Sequence, residues 1–256
     1  MQVILSSIKI PKSQTAAMQL IQLYVQSGHF YWTSGTVERK KLEKLVAKFT
    51  FFRIDRDPPG RAYDKSKKLA SVHLVVLDND SDLIPWVLMS THGKQGLNDA
   101  SALNVGKVLD TRLSDQHLPW LHYELLHCEK VMSVTRTVTT KSGEKLPDRK
   151  TTLKTTTWTW RMKKDRFLAH EALIVQRSKQ RDTVALAAEV AALAMMPLFS
   201  GVRGQVLKLH QEARKVASKF KCAVPELPQL PFMVKQPIYA DPPVTLRTIC
   251  EKRSAE

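Results

Sequence analysis

A threonine-rich, strongly basic segment, residues 130–166, sets the first limits on the structure of this chain. It contains two runs of Thr and Val, which are typical of β-strands because β-branched side chains pack well on a pleated surface. Between the runs, Ser142-Gly143 and Pro147-Asp148 supply residues that turns require. The pattern therefore predicts a β-hairpin.

The same segment carries eleven Lys and Arg against three Asp and Glu, a net charge of +8 in a chain whose total is +16. A stiff, cationic, two-stranded element is suited to a phosphate backbone. A lysine-rich hairpin can also be no more than a solvated surface element, and both interpretations stay open. Near its end, Trp158 and Trp160 are expected to point to the core, with Thr159 between them pointing outward.

The composition indicates an ordered protein with an anionic partner. A length of 256 residues allows one large domain or two small ones, and 43% hydrophobic residues with only 9 Gly are typical of a globular chain. The sequence pI of about 9.8 points to nucleic acid or an anionic membrane surface. The longest apolar run, 184–196, is shorter than the roughly 18–20 residues that a membrane span needs.

Cysteine usage and the amino terminus indicate the compartment. Cys128, Cys222 and Cys250 are scattered and odd in number, which suits a reducing cytosol and excludes a CxxC zinc site. The opening stretch MQVILSSIKIPK lacks the basic flank and cleavage pattern of a signal peptide. We therefore expect a cytoplasmic protein that binds nucleic acid.

Apolar periodicity and turn residues predict an order of elements. The first half is expected to begin with a strand at 3–10, a helix capped by Ser13, a loop at 29–35 and a helix capped by Thr36. It is then expected to contain a polar loop at 53–68, paired strands at 72–77 and 83–91, and a long connection at 92–118. The second half is expected to begin with a strand at 118–131 and a helix that Asp165 caps. An apolar helix at 184–196, capped by Asp182 and buried all round, and a last helix ending near 221 are expected next. The chain is expected to close with a Pro-rich tail at 225–243, which contains a short strand at 238–239, and a strand at 244–250.

Motif patterns give no support to several classes of enzyme. The chain has no nucleotide-binding glycine loop, HExxH motif or nucleophile elbow. The acidic turn at 78–82 opens like a calcium loop, but Leu83 and Met89 replace the glycine and glutamate that such a loop needs. His122 and His127 would lie on opposite faces of a strand. We expect neither a metal nor a cofactor.

A metal-free ribonuclease needs fewer special groups. It must activate a ribose 2′-hydroxyl, stabilise a crowded phosphate and protonate the leaving oxygen. His29 and Tyr31 lie in the loop after the first long helix, and Arg39 follows shortly after. Aromatic side chains interleaved with basic groups also suit base stacking. The alternative is that the aromatic residues of this loop fill the core and that His29 is only a cation at a helix end.

The order of elements resembles that of RAMP-superfamily endoribonucleases that process CRISPR repeat RNA. The stretches that carry the resemblance are GHFYWTSGTVERKK, WTWRMKKDRF and FSGVRGQVLKLHQEARK, which together cover less than a quarter of the chain. The basic, helix-rich second half is more similar to the type IV version. The resemblance implies an α+β fold with an RRM-like, ferredoxin-like body at 1–164, a helical finger-like segment at 165–222, and a Pro-rich tail at 223–256 whose last strand returns to the body.

The resemblance also implies a function. The protein would bind the hairpin of precursor CRISPR RNA, cleave it without metal to leave a 2′,3′-cyclic phosphate, and stay bound with other subunits of an effector complex. The residues implied for catalysis are His29, Tyr31, Arg39 and Arg247. The basic side chains expected to bind nucleic acid are Lys40, Lys44, Arg136, Lys141, Arg149, Lys150, Lys154, Lys163, Lys164, Arg203, Lys208, Arg214, Lys215 and Lys219.

Two other classes of function stay open. A non-catalytic, plasmid-borne DNA-binding protein for replication or partition would carry the same positive charge. A protein-interaction scaffold with incidental charge would bind nucleic acid weakly, and its affinity would depend little on salt because few counterions would be released.

Overall fold

A computed structural model of the chain describes residues 2–79, 81–99, 106–136, 149–223 and 225–251. Within these ranges the protein is a mixed α+β structure with two antiparallel sheets. Lys141 and the turn predicted at 142–148 lie outside the described residues.

Eight α-helices are found in the described part of the chain, and short 3-10 turns at Arg39–Lys41 and Thr50–Phe52 flank the third. They are α1 (Gln2–Ser7), α2 (Gln14–Gln26), α3 (Leu42–Phe49), α4 (Pro58–Ser66), α5 (Lys164–Lys179), α6 (Thr183–Ala194), α7 (Ser200–Lys219) and α8 (Leu246–Glu251). The predicted cap of α2 is confirmed, because the Ser13 hydroxyl accepts a hydrogen bond from the amide of Ala16.

Seven strands in the described ranges form the two sheets. They are β1 (Tyr31–Glu38), β2 (Val72–Val76), β3 (Leu83–Ser90), β4 (Leu109–Asp110), β5 (Leu118–Trp120), β6 (Tyr123–Arg136) and β7 (Arg149–Met162). The first sheet has the order β2-β3-β1-β4 and the second has the order β5-β6-β7. The long antiparallel pairing of β6 with β7, from Tyr123↔Met162 to Arg136↔Arg149, confirms the two strands of the predicted basic hairpin.

The four-stranded sheet is the middle layer of the structure, because apolar side chains cover both of its faces. Successive side chains of a strand point to opposite faces. On β2, Val75 lies in one core with α2, the second sheet and the helices α5, α6 and α7. Its neighbours Leu74 and Val76 lie in another core with α1, α3 and α8.

The inner end of β7 is covered on both faces, which corrects the predicted orientation of Thr159. Trp160 is fully buried as expected, and its indole N–H donates to the carbonyl of Met18 over 3.0 Å. Thr159 is buried as well, because α7 packs on the opposite face of the strand. Its hydroxyl oxygen lies 2.7 Å from the hydroxyl of Ser200 and accepts a hydrogen bond from the amide of Gly201.

The element predictions are wrong at both ends of the chain, where the strands expected at 3–10 and 244–250 are replaced by α1 and α8. Two apolar side chains three positions apart are buried in the same core at each end: Leu5 of α1 with Ile8 directly after it, and Leu246 with Ile249 of α8. Spacing by three is helical, so each segment buries one stripe against the other helix instead of adding an edge to a sheet.

The loop and helix start predicted for residues 29–36 are wrong, because strand β1 occupies most of this stretch. β1 pairs with β3 along its whole length, and Thr36, the expected helix cap, lies opposite Pro85. The ring of Trp86 packs closely on Gly35, since a Cβ atom at this position would lie 3.1 Å from that ring. The expected helix begins only at Leu42.

The polar loop predicted at 53–68 is also wrong, because it contains α4. The helix begins with Pro58 and Pro59, and the Asp57 carboxylate accepts a hydrogen bond from the amide of Gly60 over 2.9 Å. An N-cap followed by proline is a helix start, since the first helical residues need no intrahelical N–H partner.

Helix α6 is buried on one face instead of all round. Leu186, Val190 and Leu193 are buried, whereas Val184 and Met195 are 82% and 86% exposed. The Ala-rich sequence gives no marked polar face, so its apolar character does not reveal which side packs. Its predicted cap is confirmed, because the Asp182 carboxylate accepts from the amide of Ala185.

Other predictions from local patterns are confirmed only in part. β2 and β3 pair as expected, but the single strand predicted at 118–131 is two antiparallel strands, β5 and β6, because the chain reverses at Leu121 and His122. The predicted cap of α5 is wrong, because Lys163 takes the cap position and Asp165 lies in the first turn, where its negative charge still suits the helix N-terminus. α7 buries its predicted apolar stripe and exposes Lys208, Lys215 and Lys219. The tail at 225–243 is extended as predicted, but the short strand expected at 238–239 is reduced to an isolated bridge from Tyr239 to Pro11.

Candidate functional site

A cleft of about 920 Å³ lies at one end of the four-stranded sheet. Three segments line it, within residues 27–29, 61–71 and 91–99. The first precedes β1, the second contains the end of α4 and the turn into β2, and the third follows β3. The sheet topology therefore brings together parts of the chain that are far apart in sequence.

The side chains of this cleft are mainly cationic. Arg61, Lys65, Lys68 and Lys94 line it, against the single carboxylate of Asp99. Two imidazoles, those of His29 and His92, also belong to its lining. Such a concave cationic surface attracts anions more strongly than a flat surface with the same charges. We refer to it below as the basic cleft.

Arg61 ties α4 to the start of β2 and fixes one wall of the basic cleft. Its Nε donates to the carbonyl of Arg56 over 2.9 Å. Its Nη1 donates to the carbonyl of Val72 over 2.8 Å and to the hydroxyl of Ser71 over 3.1 Å. Burial lowers the pKa of the guanidinium below its ordinary value. The charge is thus held in place by the backbone and partly withdrawn from water.

The opposite wall is held by a close approach of two backbone segments. The amide of Lys94 donates to the carbonyl of Lys68, and the amide of Ala70 donates to the carbonyl of Lys94. Gly93, with φ of +154°, permits this contact, because a Cβ atom there would lie 2.7 Å from the amide nitrogen of Ala70. Lys68 and Lys94 are therefore carried on joined segments.

His29 is the most deeply buried titratable group of the basic cleft, with 5% of its surface exposed. Its Nδ1 lies 3.0 Å from the carbonyl oxygen of Tyr24, so Nδ1 carries the proton and donates it. Burial lowers the pKa of His29 to about 4, which keeps the ring neutral at pH 7. Its Nε2 is then a bare proton acceptor.

The ring of His29 belongs to a packed group of three. The rings of Tyr24 and His73 stack with centroids 3.9 Å apart, and the centroid of His29 lies 4.9 Å from that of His73 in an edge contact. Burial also lowers the pKa of His73 well below its ordinary value, with the nearby Arg61 guanidinium acting in the same direction. Two neutral imidazoles therefore lie behind a cationic wall.

Two buried polar atoms of the cleft lining have no hydrogen-bond partner within the described residues, namely Nε2 of His29 and Oδ1 of Asn98. A buried polar atom without a partner is costly, and in native structures a ligand is one reason for it. Both atoms are acceptors here, so each can take a hydrogen bond from a hydroxyl group. The arrangement suits a ligand that combines anionic groups with hydroxyls.

The structure brings together only part of the predicted catalytic set. His29 lines the basic cleft, and Tyr31 lies just outside its lining, with its ring 6.2 Å from that of His92. Arg39 follows the other end of β1, about 25 Å from Tyr31 in a strand that rises 3.3 Å per residue. Its Nη2 contacts the Asp78 carboxylate over 2.8 Å. Arg247 lies on α8 and pairs with Glu251.

The predicted nucleic-acid-binding residues are distributed outside the basic cleft. Lys40 and Lys44 are exposed around the start of α3, where Lys40 pairs with Glu38. Arg136, Arg149 and Lys150 occupy the outer end of the β6–β7 hairpin. The residues placed at the inner part of the hairpin and on the helices next to it are Lys154, Lys163, Lys164, Lys208, Arg214, Lys215 and Lys219.

Helix α7 packs on β7, so the basic residues of α7 and those of the hairpin lie on adjacent elements. Arg203, at the start of α7, is engaged within the chain instead. Its Nε donates to the carbonyl of Leu230 over 3.1 Å, and its guanidinium lies 4.3 Å from the ring centre of Phe232. This residue therefore holds the tail against α7. The surface made by β6, β7 and α7 is called the outer basic surface below.

Sequence reasoning missed most residues of the basic cleft. Arg61 and Lys65 lie on α4, and its start signal was present in Asp57 followed by two prolines. Lys94 and His92 lie in a long connection with no periodic pattern, so no local signal marks them.

Comparison with known proteins finds no family model, no curated protein and no solved structure that matches this chain. No helix among the described residues is long and apolar enough to cross a membrane. In the same ranges, no cluster of three or more His, Cys, Asp and Glu side chains has an arrangement that could hold a metal ion.

Proposed function

We propose that the protein is an RNA-processing endoribonuclease that binds an RNA hairpin on its outer basic surface and cleaves the chain in the basic cleft without a metal ion. The observation that carries this proposal is the neutral imidazole of His29, whose Nε2 has no partner within the described residues and which shares the lining of the basic cleft with four cationic side chains. A proton acceptor beside phosphate-binding groups is what cleavage through the ribose 2′-hydroxyl requires.

The proposed reaction uses the groups of the cleft in fixed roles. Nε2 of His29 takes the proton of the 2′-hydroxyl, and the resulting 2′ oxygen attacks the adjacent phosphorus. The bond from phosphorus to the 5′ oxygen breaks, and His92 gives that oxygen a proton. Arg61, Lys65 and Lys94 stabilise the charge that develops on the phosphoryl oxygens. The products are a 2′,3′-cyclic phosphate and a 5′-hydroxyl.

The strand order supports an RRM-like body. β1 and β2 both run antiparallel to β3, so they are parallel to each other and are joined through α3 and α4, with β3 inserted between them. This is a split βαβ arrangement, as in ferredoxin-like folds. The protein departs from the usual RRM pattern because both faces of the sheet are covered. RNA would therefore use the end of the sheet instead of its face.

The substrate class follows from the outer basic surface and from the resemblance noted in the sequence. A double-stranded RNA stem is held mainly through phosphates, since side chains cannot reach into its deep major groove. The exposed lysines of α7 and the paired strands of the hairpin offer such contacts. We propose the repeat hairpin of CRISPR RNA as the substrate, subunits of an effector complex as partners and the cytoplasm as the compartment.

One observation favours a second function, a non-catalytic DNA-binding protein of plasmid replication or partition. Nε2 of His29 has almost no exposed surface, so RNA must open the contacts around this atom before it can accept a proton. A protein that only binds a phosphate backbone needs no such opening, because exposed cations suffice.

Incubation with end-labelled hairpin RNA in EDTA tests the proposal. We expect cleavage to a 2′,3′-cyclic phosphate, and no cleavage when a 2′-deoxyribonucleotide occupies the scissile position. The control variant is His122→Ala, because His122 is exposed and lies outside the lining of the basic cleft. If no repeat hairpin is cut while duplex DNA binds tightly, the protein is the non-catalytic DNA binder.

A further inference from the structure

A row of planar side chains crosses from the first sheet to the second. The members touch in a fixed order, which is His92, Tyr31, Arg112, Phe30, Trp158 and His127. The guanidinium carbon of Arg112 lies 4.8 Å from the ring centre of Phe30 and 5.4 Å from that of Tyr31. At the far end, the rings of His127 and Trp158 stack with centroids 4.5 Å apart and an interplanar angle of 24°.

Three members of this row are exposed and three are half-buried. His92, Arg112 and His127 are exposed, whereas Tyr31, Phe30 and Trp158 are half-buried. Each exposed planar group is therefore backed by at least one aromatic ring. Imidazole rings and guanidinium planes are among the groups on which unpaired RNA bases stack. The three exposed groups, His92, Arg112 and His127, are called the stacking row below.

Arg112 is held in position by more than its aromatic neighbours. Its Nη2 donates to the Asp110 carboxylate over 2.6 Å and to the phenolic oxygen of Tyr31 over 3.1 Å. The hydrogen bond from Arg112 lowers the pKa of the Asp110 carboxyl below its ordinary value. A guanidinium fixed in this way loses little side-chain entropy when a ligand binds to it.

The two ends of the stacking row meet the two surfaces described above. His92 lines the basic cleft. His127 lies on β6 directly opposite Trp158, four residues along β7 from the exposed Lys154 of the outer basic surface. The row therefore connects the place proposed for the stem with the place proposed for cleavage.

We propose that the stacking row binds the single-stranded RNA that leaves the hairpin stem, with unpaired bases stacked on His127 and Arg112 on the way to the basic cleft. This inference rests on the RNA binding proposed above and adds a substrate requirement. The RNA must carry an unpaired flank next to its stem, because paired bases have no free face for stacking. Aromatic stacking tolerates any base, so the flank needs length and not a particular sequence.

The test compares two RNAs that cannot be cleaved, because both contain a 2′-deoxyribonucleotide at the scissile position. One is a hairpin with an unpaired flank of several nucleotides, and the other is the same hairpin with a blunt end. We expect wild-type protein to bind the flanked hairpin at least about tenfold more tightly, as a single stacked base is worth that much.

Variants of His127 separate stacking from other effects. His127→Ala is expected to remove most of the preference for the flanked hairpin, and His127→Phe to restore it, because phenylalanine also presents a flat ring. Arg112→Lys keeps the charge and loses the plane, so it should weaken the flanked hairpin and leave the blunt hairpin unchanged. Equal affinity of wild type for both RNAs, or equal losses for both in His127→Ala, would overturn the inference.

The outcomes also distinguish this inference from the proposed function. Cleavage of blunt and flanked hairpins at equal rates would overturn the stacking row and leave the ribonuclease intact. A flank preference that His127→Ala removes, in a protein that cuts no RNA in EDTA, would support the stacking row and exclude metal-free cleavage.

Discussion

The basic cleft and the outer basic surface carry the same kind of charge in two different settings. In the cleft, Arg61 is partly buried and held by backbone carbonyls, and His29 is buried and kept neutral. On the outer surface, Lys208, Lys215 and Lys219 project into solvent from one helix. Perturbed titratable groups in a concavity are typical of sites of chemistry, whereas exposed lysines bind phosphates through counterion release.

This difference assigns separate roles to the two regions. The outer basic surface should set how tightly RNA binds and how that affinity responds to salt. The basic cleft should set how fast bound RNA is cleaved. Substitutions that remove equal charge from the two regions should therefore produce different defects.

The largest expected effect is the loss of cleavage in His29→Ala. Removal of the proton acceptor should lower the single-turnover rate by at least about 100-fold, the usual contribution of a general base. The affinity for a hairpin that cannot be cleaved should stay within about threefold, because the neutral ring makes no ion pair with phosphate. A loss of affinity as large as the loss of rate would make His29 a structural residue and erase the contrast between the regions.

The next largest effect is a loss of folding stability as the pH falls. Burial lowers the pKa values of His29 and His73 in the folded state, so the unfolded chain takes up protons first, near its ordinary pKa of about 6.5. Their contribution to stability is complete above pH 6.5 and is lost as the pH falls; for His29 the loss is complete near pH 4. With a pKa of about 4, His29 alone accounts for about 3 kcal/mol.

Urea unfolding at pH 7, 6 and 5 measures this loss of stability. His29→Phe should flatten the pH dependence of the free energy of unfolding, while His122→Phe on the exposed turn serves as the matched control. An unchanged pH dependence in His29→Phe would show that the imidazole is not held neutral by burial.

A smaller effect is expected on the outer basic surface. Replacing Lys208, Lys215 and Lys219 together by Gln should weaken hairpin binding about tenfold at 0.15 M salt and lower the slope of log K against log salt by about 2 to 3. The slope is obtained from binding titrations at several salt concentrations. An unchanged slope would remove α7 from the RNA interface.

The smallest effect is expected for Arg39 and Arg247. Both residues are implied for catalysis by the sequence, but each pairs with a carboxylate outside the basic cleft, Arg39 with Asp78 and Arg247 with Glu251. Arg39→Gln and Arg247→Gln should therefore keep the single-turnover rate within about threefold of wild type. A loss of rate comparable with that of His29→Ala would show that Arg39 and Arg247 act in cleavage together with His29, at a site other than the basic cleft as described.

The parts of the fold that could be predicted from sequence depend on local patterns. The hairpin strands β6 and β7 follow from their Thr and Val runs, and α7 follows from a 3.6-residue apolar period. Strand β1 was missed because Ser34 and Gly35 resemble turn residues, while its structure is imposed by pairing with β3, some fifty residues away. Nonlocal pairing leaves no local signature.

The candidate site was harder to predict for the same reason. The basic cleft takes its lining from three segments that meet only after the sheet has formed. The aromatic and basic neighbours of His29 in sequence predict a site there, yet its role in the structure depends on burial against His73 and on the nearby Arg61. The hairpin charge, in contrast, is visible from composition alone.

In the proposed function, the outer basic surface binds RNA and the basic cleft cleaves it. The most direct test measures single-turnover cleavage at saturating RNA in two variants of equal charge. One replaces Lys65, Lys68 and Lys94 of the basic cleft by Gln, and the other replaces Lys208, Lys215 and Lys219 of α7 by Gln. Our account predicts a rate reduced by at least about 30-fold in the cleft variant, since it loses groups that stabilise the transition state, and a rate close to wild type in the α7 variant. Equal rates in the two variants, or a slower α7 variant, would contradict it.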